Sequence, residues 1–136
     1  MKMSKWIAGM LVVALSMLAA PAGVVAQEQT ATDFYMGYRT AFEKAKTVEE
    51  ILPQMSKAVR AKVEATPKEE RAEMFAFLKE MSKMSGLKVV KETKTPEGVM
   101  LTVEATQDGE ARLGQVQIVK EDGAWKLGRE SWKSKS

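Results

Sequence analysis

Residues 99–132 read VMLTVEATQDGEARLGQVQIVKEDGAWKLGRESW, and this stretch decides the fold. Val99, Leu101, Val103 and Ala105 alternate with Met100, Thr102, Glu104 and Thr106, the period-two pattern of a strand with one buried face. Val116 and Ile118 alternate with Gln115 and Gln117, and Trp125 and Leu127 with Lys126 and Gly128. Asp108-Gly109 and Asp122-Gly123 separate the runs. Asp-Gly in such a place favours a two-residue type I′ turn, because both central residues need positive φ. Two-residue loops fix the register. Leu101 then faces Val116, Val99 faces Ile118, Ile118 faces Leu127 and Lys120 faces Trp125. Both turns put Val99, Leu101, Val116, Ile118, Trp125 and Leu127 on one face, and no position of that inner face is expected to carry a carboxylate.

Working outward, Leu87 to Thr93 adds a further strand, joined to Val99 through Thr95-Pro96-Glu97-Gly98. Two-residue and three-residue loops both fit this turn, and they turn different faces inward. Before the strands lie helical patterns. Phe34, Tyr38, Ala41, Phe42 and Ala45 form one apolar stripe on a helix running from Thr32 or Asp33 to Lys46. Gly37 lies within it and suits close packing against a neighbour. Thr47-Val48-Glu49-Glu50 is a capping box, with Val48, Ile51, Leu52 and Met55 on the buried side and Pro53 as a break. Ser56 caps a short helix with Val59 and Val63 inward. Thr66-Pro67-Lys68-Glu69 opens another, with Met74, Phe77, Leu78 and Met81 on its inward face and Ser85-Gly86 as its stop.

Helices followed by an antiparallel meander predict an α+β domain. N-terminal helices cover the apolar face of a curved four-stranded sheet, a cone-shaped roll, and the face bearing Thr102, Glu104, Gln115, Gln117 and Lys126 stays wet. Residues 1–26 read as a secretory signal peptide. Lys2 and Lys5 precede an apolar run from Trp6 to Ala20, and Pro21-Ala22-Gly23 and Val24-Val25-Ala26 supply a break and a cleavage site. Residues 27–136 then form one domain in the periplasm or outside the cell. A retained anchor is the alternative, since Ile7 to Ala26 is about long enough to span a bilayer; after cleavage no stable membrane insertion is expected. The chain has no cysteine, so its stability comes from packing, and export without disulfides suits a bacterial periplasm. Two of the 21 basic residues lie in the leader and all 18 acidic ones beyond it, so the net charge of +3 drops to +1. Interspersed signs of this kind are not a nucleic-acid footprint.

This order of elements, with the closing hairpin Val116-Gln117-Ile118-Val119-Lys120-Glu121-Asp122-Gly123-Ala124-Trp125-Lys126-Leu127, resembles the nuclear transport factor 2-like superfamily (cystatin-like α+β roll), and within it the small exported bacterial members of unknown function. The likeness covers most of residues 27–136 by topology, and its motif is structural. It implies one enzymatic option, an isomerase or dehydratase holding a base and tyrosine donors inside the cone.

The chain has no His and no Cys, which excludes a Ser-His-Asp triad, a Cys nucleophile and the usual zinc sites. No catalytic residue, metal ligand or cofactor is assigned. Asp33, Tyr35 and Tyr38 are the one polar set for a base with donors, and Asp33 at a helix start reads as a cap. Tyr38, Phe42, Met55, Phe77, Met81, Leu101, Val116 and Trp125 are the candidate lining of a pocket between helices and sheet. The expected function is an exported noncatalytic domain that binds a small apolar ligand or peptide, or docks a protein. The alternatives are the isomerase-like enzyme and a structural envelope protein dimerising through its sheet face.

Overall fold

The computed structural model describes residues 29–135; the signal-peptide reading of residues 1–26 lies outside them. Helix α1 spans Ala31–Lys44, two 3-10 turns follow at Val48–Glu50 and Leu52–Gln54, and α2 (Lys57–Ala65) and α3 (Lys68–Met81) complete the helical part. Strands β1 (Ser85–Lys94), β2 (Gly98–Gln107), β3 (Glu110–Glu121) and β4 (Ala124–Ser134) form one antiparallel meander in the order β1-β2-β3-β4, which does not close into a barrel. Among the described residues no helix is long and apolar enough to cross a membrane.

The sheet register follows the turn chemistry. Leu101 pairs with Val116, Val99 with Ile118, Ile118 with Leu127 and Lys120 with Trp125. Asp108 and Asp122 sit at φ 51° and 52°, and Gly109 and Gly123 at 79° and 80°, the left-handed pair that a type I′ turn demands. The first turn is also a two-residue loop. Thr95 and Gly98 exchange both backbone hydrogen bonds at 3.0 and 3.2 Å around Pro96-Glu97. Its φ-fixed proline suits the first position of the loop.

The helices dock on the apolar face. Phe34, Tyr35, Tyr38, Phe42 and Ala45 are buried against Leu101, Val103, Val116, Ile118 and Leu127. The Ser56 hydroxyl accepts from the Val59 amide at 3.3 Å and caps α2 as expected. Met55 forms a parallel bridge with Leu127, and the Ser56 amide donates to the Leu127 carbonyl at 2.9 Å. This segment covers the outer edge of β4 with backbone partners that an edge strand otherwise leaves exposed.

The inward face expected for α3 is corrected. Phe77 is 63% exposed, Met81 57% and Leu78 40%, while Phe75 is buried. The helix is turned by its polar anchors. Arg71 donates to the carbonyls of Thr66 (2.9 Å) and Glu64 (3.0 Å), and the Lys79 ammonium to those of Ala45 (2.6 Å) and Glu43 (3.1 Å). Phe75 lies between them at i±4, so it shares their face, and it meets Phe42 edge-on at 5.4 Å between centroids. Met74 is half-buried beside it. The helix also begins at Lys68, with Pro67 in the cap position in place of Thr66, and it ends at Met81, short of Ser85-Gly86.

Two glycines test these placements. A Cβ on Gly98 would lie 2.2 Å from the Ile118 carbonyl oxygen, whereas one on Gly37 meets nothing within 4 Å. Gly37 is exposed, which corrects the close packing expected there. Gly98→Ala is expected to cost about 1–3 kcal/mol through overpacking. Gly37→Ala is expected to stabilise α1 by about 0.5–1 kcal/mol. Urea unfolding of both variants checks the pair, and a neutral Gly98→Ala would refute the tight β2–β3 approach.

Candidate functional site

The site grows from one irregularity in β4. Pairing runs Ile118–Leu127 and then Gln117–Arg129, so Gly128 is an extra residue, a β-bulge. A Cβ there would lie 2.9 Å from Val119 Cγ1 and 3.0 Å from the Gln117 carbonyl oxygen. Beyond the bulge the alternation shifts by one residue. Glu130 now pairs with Val116 and Trp132 with Gly114, so both belong to the inner face. Gly114 leaves the room that the Trp132 ring fills, since a Cβ there would lie 2.9 Å from ring atoms. The expectation that no inner-face position carries a carboxylate is thereby corrected.

Glu130 collects donors from three residues on one oxygen. Its Oε2 accepts from the Tyr35 hydroxyl at 2.7 Å, the Trp132 indole N–H at 3.0 Å and the Arg39 guanidinium at 3.3 Å. The other guanidinium arm donates to the Ser82 carbonyl at 2.8 Å, just past α3. Arg39 is 5% exposed, and its Nε has no hydrogen-bond partner among the described residues. Burial pushes the hydroxyls of Tyr35 and Tyr38 far above the ordinary tyrosine range, and the negative charge of Glu130 adds to the effect. Both therefore stay protonated through the physiological range.

Beside this cluster lies a cavity of about 180 Å³ lined by Tyr38, Arg39, Phe42, Leu78, Ser82, Glu130 and Trp132. A second, of about 250 Å³, shares Phe42 and Ser82 with it and extends to Lys79 and Met84. Two polar atoms are left over here. All three bonds to Glu130 end on Oε2, so Oε1 has no hydrogen-bond partner among the described residues, and neither has the Tyr38 hydroxyl. The cavity thus offers a donor–acceptor hydroxyl and a carboxylate oxygen against the rings of Phe42 and Trp132.

A larger depression of about 530 Å³ lies on the opposite face of the sheet, around Pro96, Glu97, Gln117 and Lys120. Several of its polar groups are already engaged. Gln117 Nε2 donates to Thr95 Oγ1 and to the Val99 and Ile118 carbonyls within 3.2 Å. The Glu121 carboxylate accepts from the Lys57 amide at 3.1 Å, and the Lys120 ammonium sits 4.1 Å over the Trp125 ring.

Of the predicted lining, only Tyr38 and Phe42 border the inner cavity. Met55, Leu101 and Val116 are buried in the packed core, and Trp125 is half-buried at the last turn. Phe77 and Met81 face solvent because the anchors of α3 turn Phe75 inward instead. The set Asp33, Tyr35 and Tyr38 is not brought together. Asp33 is exposed in the first turn of α1, and Tyr35 turns to Glu130. Among the described residues no group of His, Cys, Asp and Glu could hold a metal ion. Arg39 and Glu130 are the residues that sequence reasoning missed. The signal was Gly128, since a glycine inside a strand marks a possible bulge.

Glu130→Ala is expected to cost about 3–5 kcal/mol, because it leaves the Arg39 charge buried without its partner. Glu130→Gln keeps an acceptor for Tyr35 and Trp132 but also leaves Arg39 without its counter-charge, so it should remain clearly destabilising; a Glu130→Gln variant as stable as the parent in urea unfolding would refute the ion-pair account. Tyr35 and Tyr38 are the chain's two tyrosines, and their folded pKa values are raised above the unfolded value of about 10. Above about pH 10 the unfolded chain releases protons that the folded chain keeps, so stability falls as pH rises. Tyrosinate absorbance should therefore appear together with unfolding. Its growth in a chain that keeps its near-ultraviolet circular dichroism would refute the burial of both hydroxyls.

Comparison of the chain with protein-family models, with curated proteins and with solved structures finds no match.

Proposed function

We propose that this protein is an exported, noncatalytic binding domain of nuclear transport factor 2-like architecture. Its site is the cavity between α1, α3 and the far end of β4. The observation that carries this reading is a pair of polar atoms without a hydrogen-bond partner among the described residues, the Tyr38 hydroxyl and Glu130 Oε1, beside a cavity walled by Phe42 and Trp132. Concave apolar sites with a few convergent polar groups are where small ligands bind. Arg39 and Glu130 cancel each other's charge across 3.3 Å, so an uncharged ligand enters with no unpaired charge to desolvate. A small apolar body with one hydroxyl fits this chemistry, the hydroxyl donating to Glu130 Oε1 and accepting from Tyr38.

Binding is preferred to catalysis on chemical grounds. Glu130 Oε2 is occupied by three donors, which lowers its readiness to take a proton. Asp33, the base that sequence reasoning offered, is exposed in the first turn of α1. The leader pattern of residues 1–26 supports export.

The test is a nuclear magnetic resonance titration with three probes of one shape: benzyl alcohol, benzoate and benzylamine. Benzyl alcohol should shift the signals of Tyr38, Phe42 and the Trp132 indole, and the charged probes should do so much more weakly. Tyr38→Phe should weaken benzyl alcohol binding about tenfold, the worth of one hydrogen bond. Silence of these signals toward all three probes, or equal response to all three, would refute the reading.

A further inference from the structure

The outward face of α3 is the largest conflict between this sequence and its own fold. Phe77, Leu78 and Met81 are exposed there at i, i+1 and i+4, so they lie on one side of the helix. The other exposed large apolar residues, Met36 and Val90, sit apart on α1 and β1. Contiguous exposed apolar surface on a small domain marks an interaction site.

Charge around the stripe says what kind of partner it takes. Glu69, Glu70 and Glu73 are exposed on the same helix and have no ion pair among the described residues. Glu70 and Glu73 precede Phe77 by about two turns and one turn, so they border the stripe. The neighbouring cations are committed elsewhere. Arg71 binds Glu49 and two backbone carbonyls, Lys79 binds the carbonyls at the end of α1, and Lys83 pairs with Glu80. Lys68, nine residues before Phe77, lies on the opposite side of the helix. The stripe is therefore apolar with an acidic border. A second copy of this face brings the same carboxylates into the contact, where Arg71, Lys79 and Lys83 are already engaged.

We infer that the Phe77–Leu78–Met81 face of α3 docks a cationic amphipathic helix of a partner protein. The partner's apolar side covers Phe77 and Met81, and its lysines or arginines meet Glu70 and Glu73. Helix recognition of this kind is read through anchors one turn apart, and the opposed charges select against anionic or self-complementary partners. Leu78 also lines the ligand cavity, but Phe77 and Met81, the anchors tested below, do not.

The test uses the protein purified from the cells that produce it and two synthetic amphipathic helices of equal length, one of leucine and lysine and one of leucine and glutamate. Titration calorimetry at low salt should show binding of the leucine–lysine helix and none of the leucine–glutamate helix. F77S/M81S and E69Q/E70Q/E73Q should each weaken that binding at least tenfold, and because all five side chains are exposed the fold should persist by circular dichroism. The proposal is overturned if both peptides bind alike or if neither binds. It is also overturned if the variants bind like the parent, or if sedimentation shows that the face pairs two copies of the chain in an association lost in F77S/M81S.

Discussion

One carboxylate oxygen, Glu130 Oε2, joins the parts of this domain. It takes a hydroxyl and a guanidinium from α1 and an indole from its own strand. Through Arg39 it also reaches the carbonyl of Ser82 behind α3. Buried charge is tolerable only when paired and hydrogen-bonded, so each of these residues needs the others in place. The pair fixes the orientation of α1 on the sheet, because a nonspecific apolar contact can slide and a shared oxygen cannot. The same arrangement opens the cavity, since three donors on one oxygen leave the other oxygen unused.

The sheet was legible because its signals are local. Asp-Gly turns fix φ at two residues, and period-two alternation does the rest, so four cross-strand pairs follow from spacing alone. The cap at Ser56 and the α1 stripe are equally local. The candidate site was not legible, because it depends on where the alternation breaks. Counting on from Leu127 without a bulge sends Arg129 inward and Glu130 outward. The extra residue at Gly128 exchanges them, and nothing in the hydrophobic pattern distinguishes a bulge from an ordinary glycine.

Helix α3 failed for a different reason. The periodicity argument assumes that the side with more apolar residues faces inward. Here Arg71 and Lys79 reach the unpaired carbonyls at the ends of α2 and α1, satisfying helix-terminal acceptors that otherwise lack partners. Two charged donors and Phe75 outweigh Phe77, Leu78 and Met81. Single-sequence patterning counts burial and has no means to weigh a lysine that caps a neighbouring helix. Where local preference and tertiary placement disagree, function is the usual beneficiary, and both surfaces singled out here lie at such a disagreement.

The nearest-neighbour order of the meander has a kinetic consequence. Every strand pairs with its successor in sequence, so the three hairpins close short loops and the sheet can assemble with little loop entropy. The contact between Tyr35 and Glu130 spans 95 residues, and its closure entropy falls on the step that brings α1 down. The Gly128 bulge depends on the pairing of β3 with β4 and on no contact from α1. The inward aim of the carboxylate is therefore written into the sheet itself, which is the template on which the N-terminal helix docks.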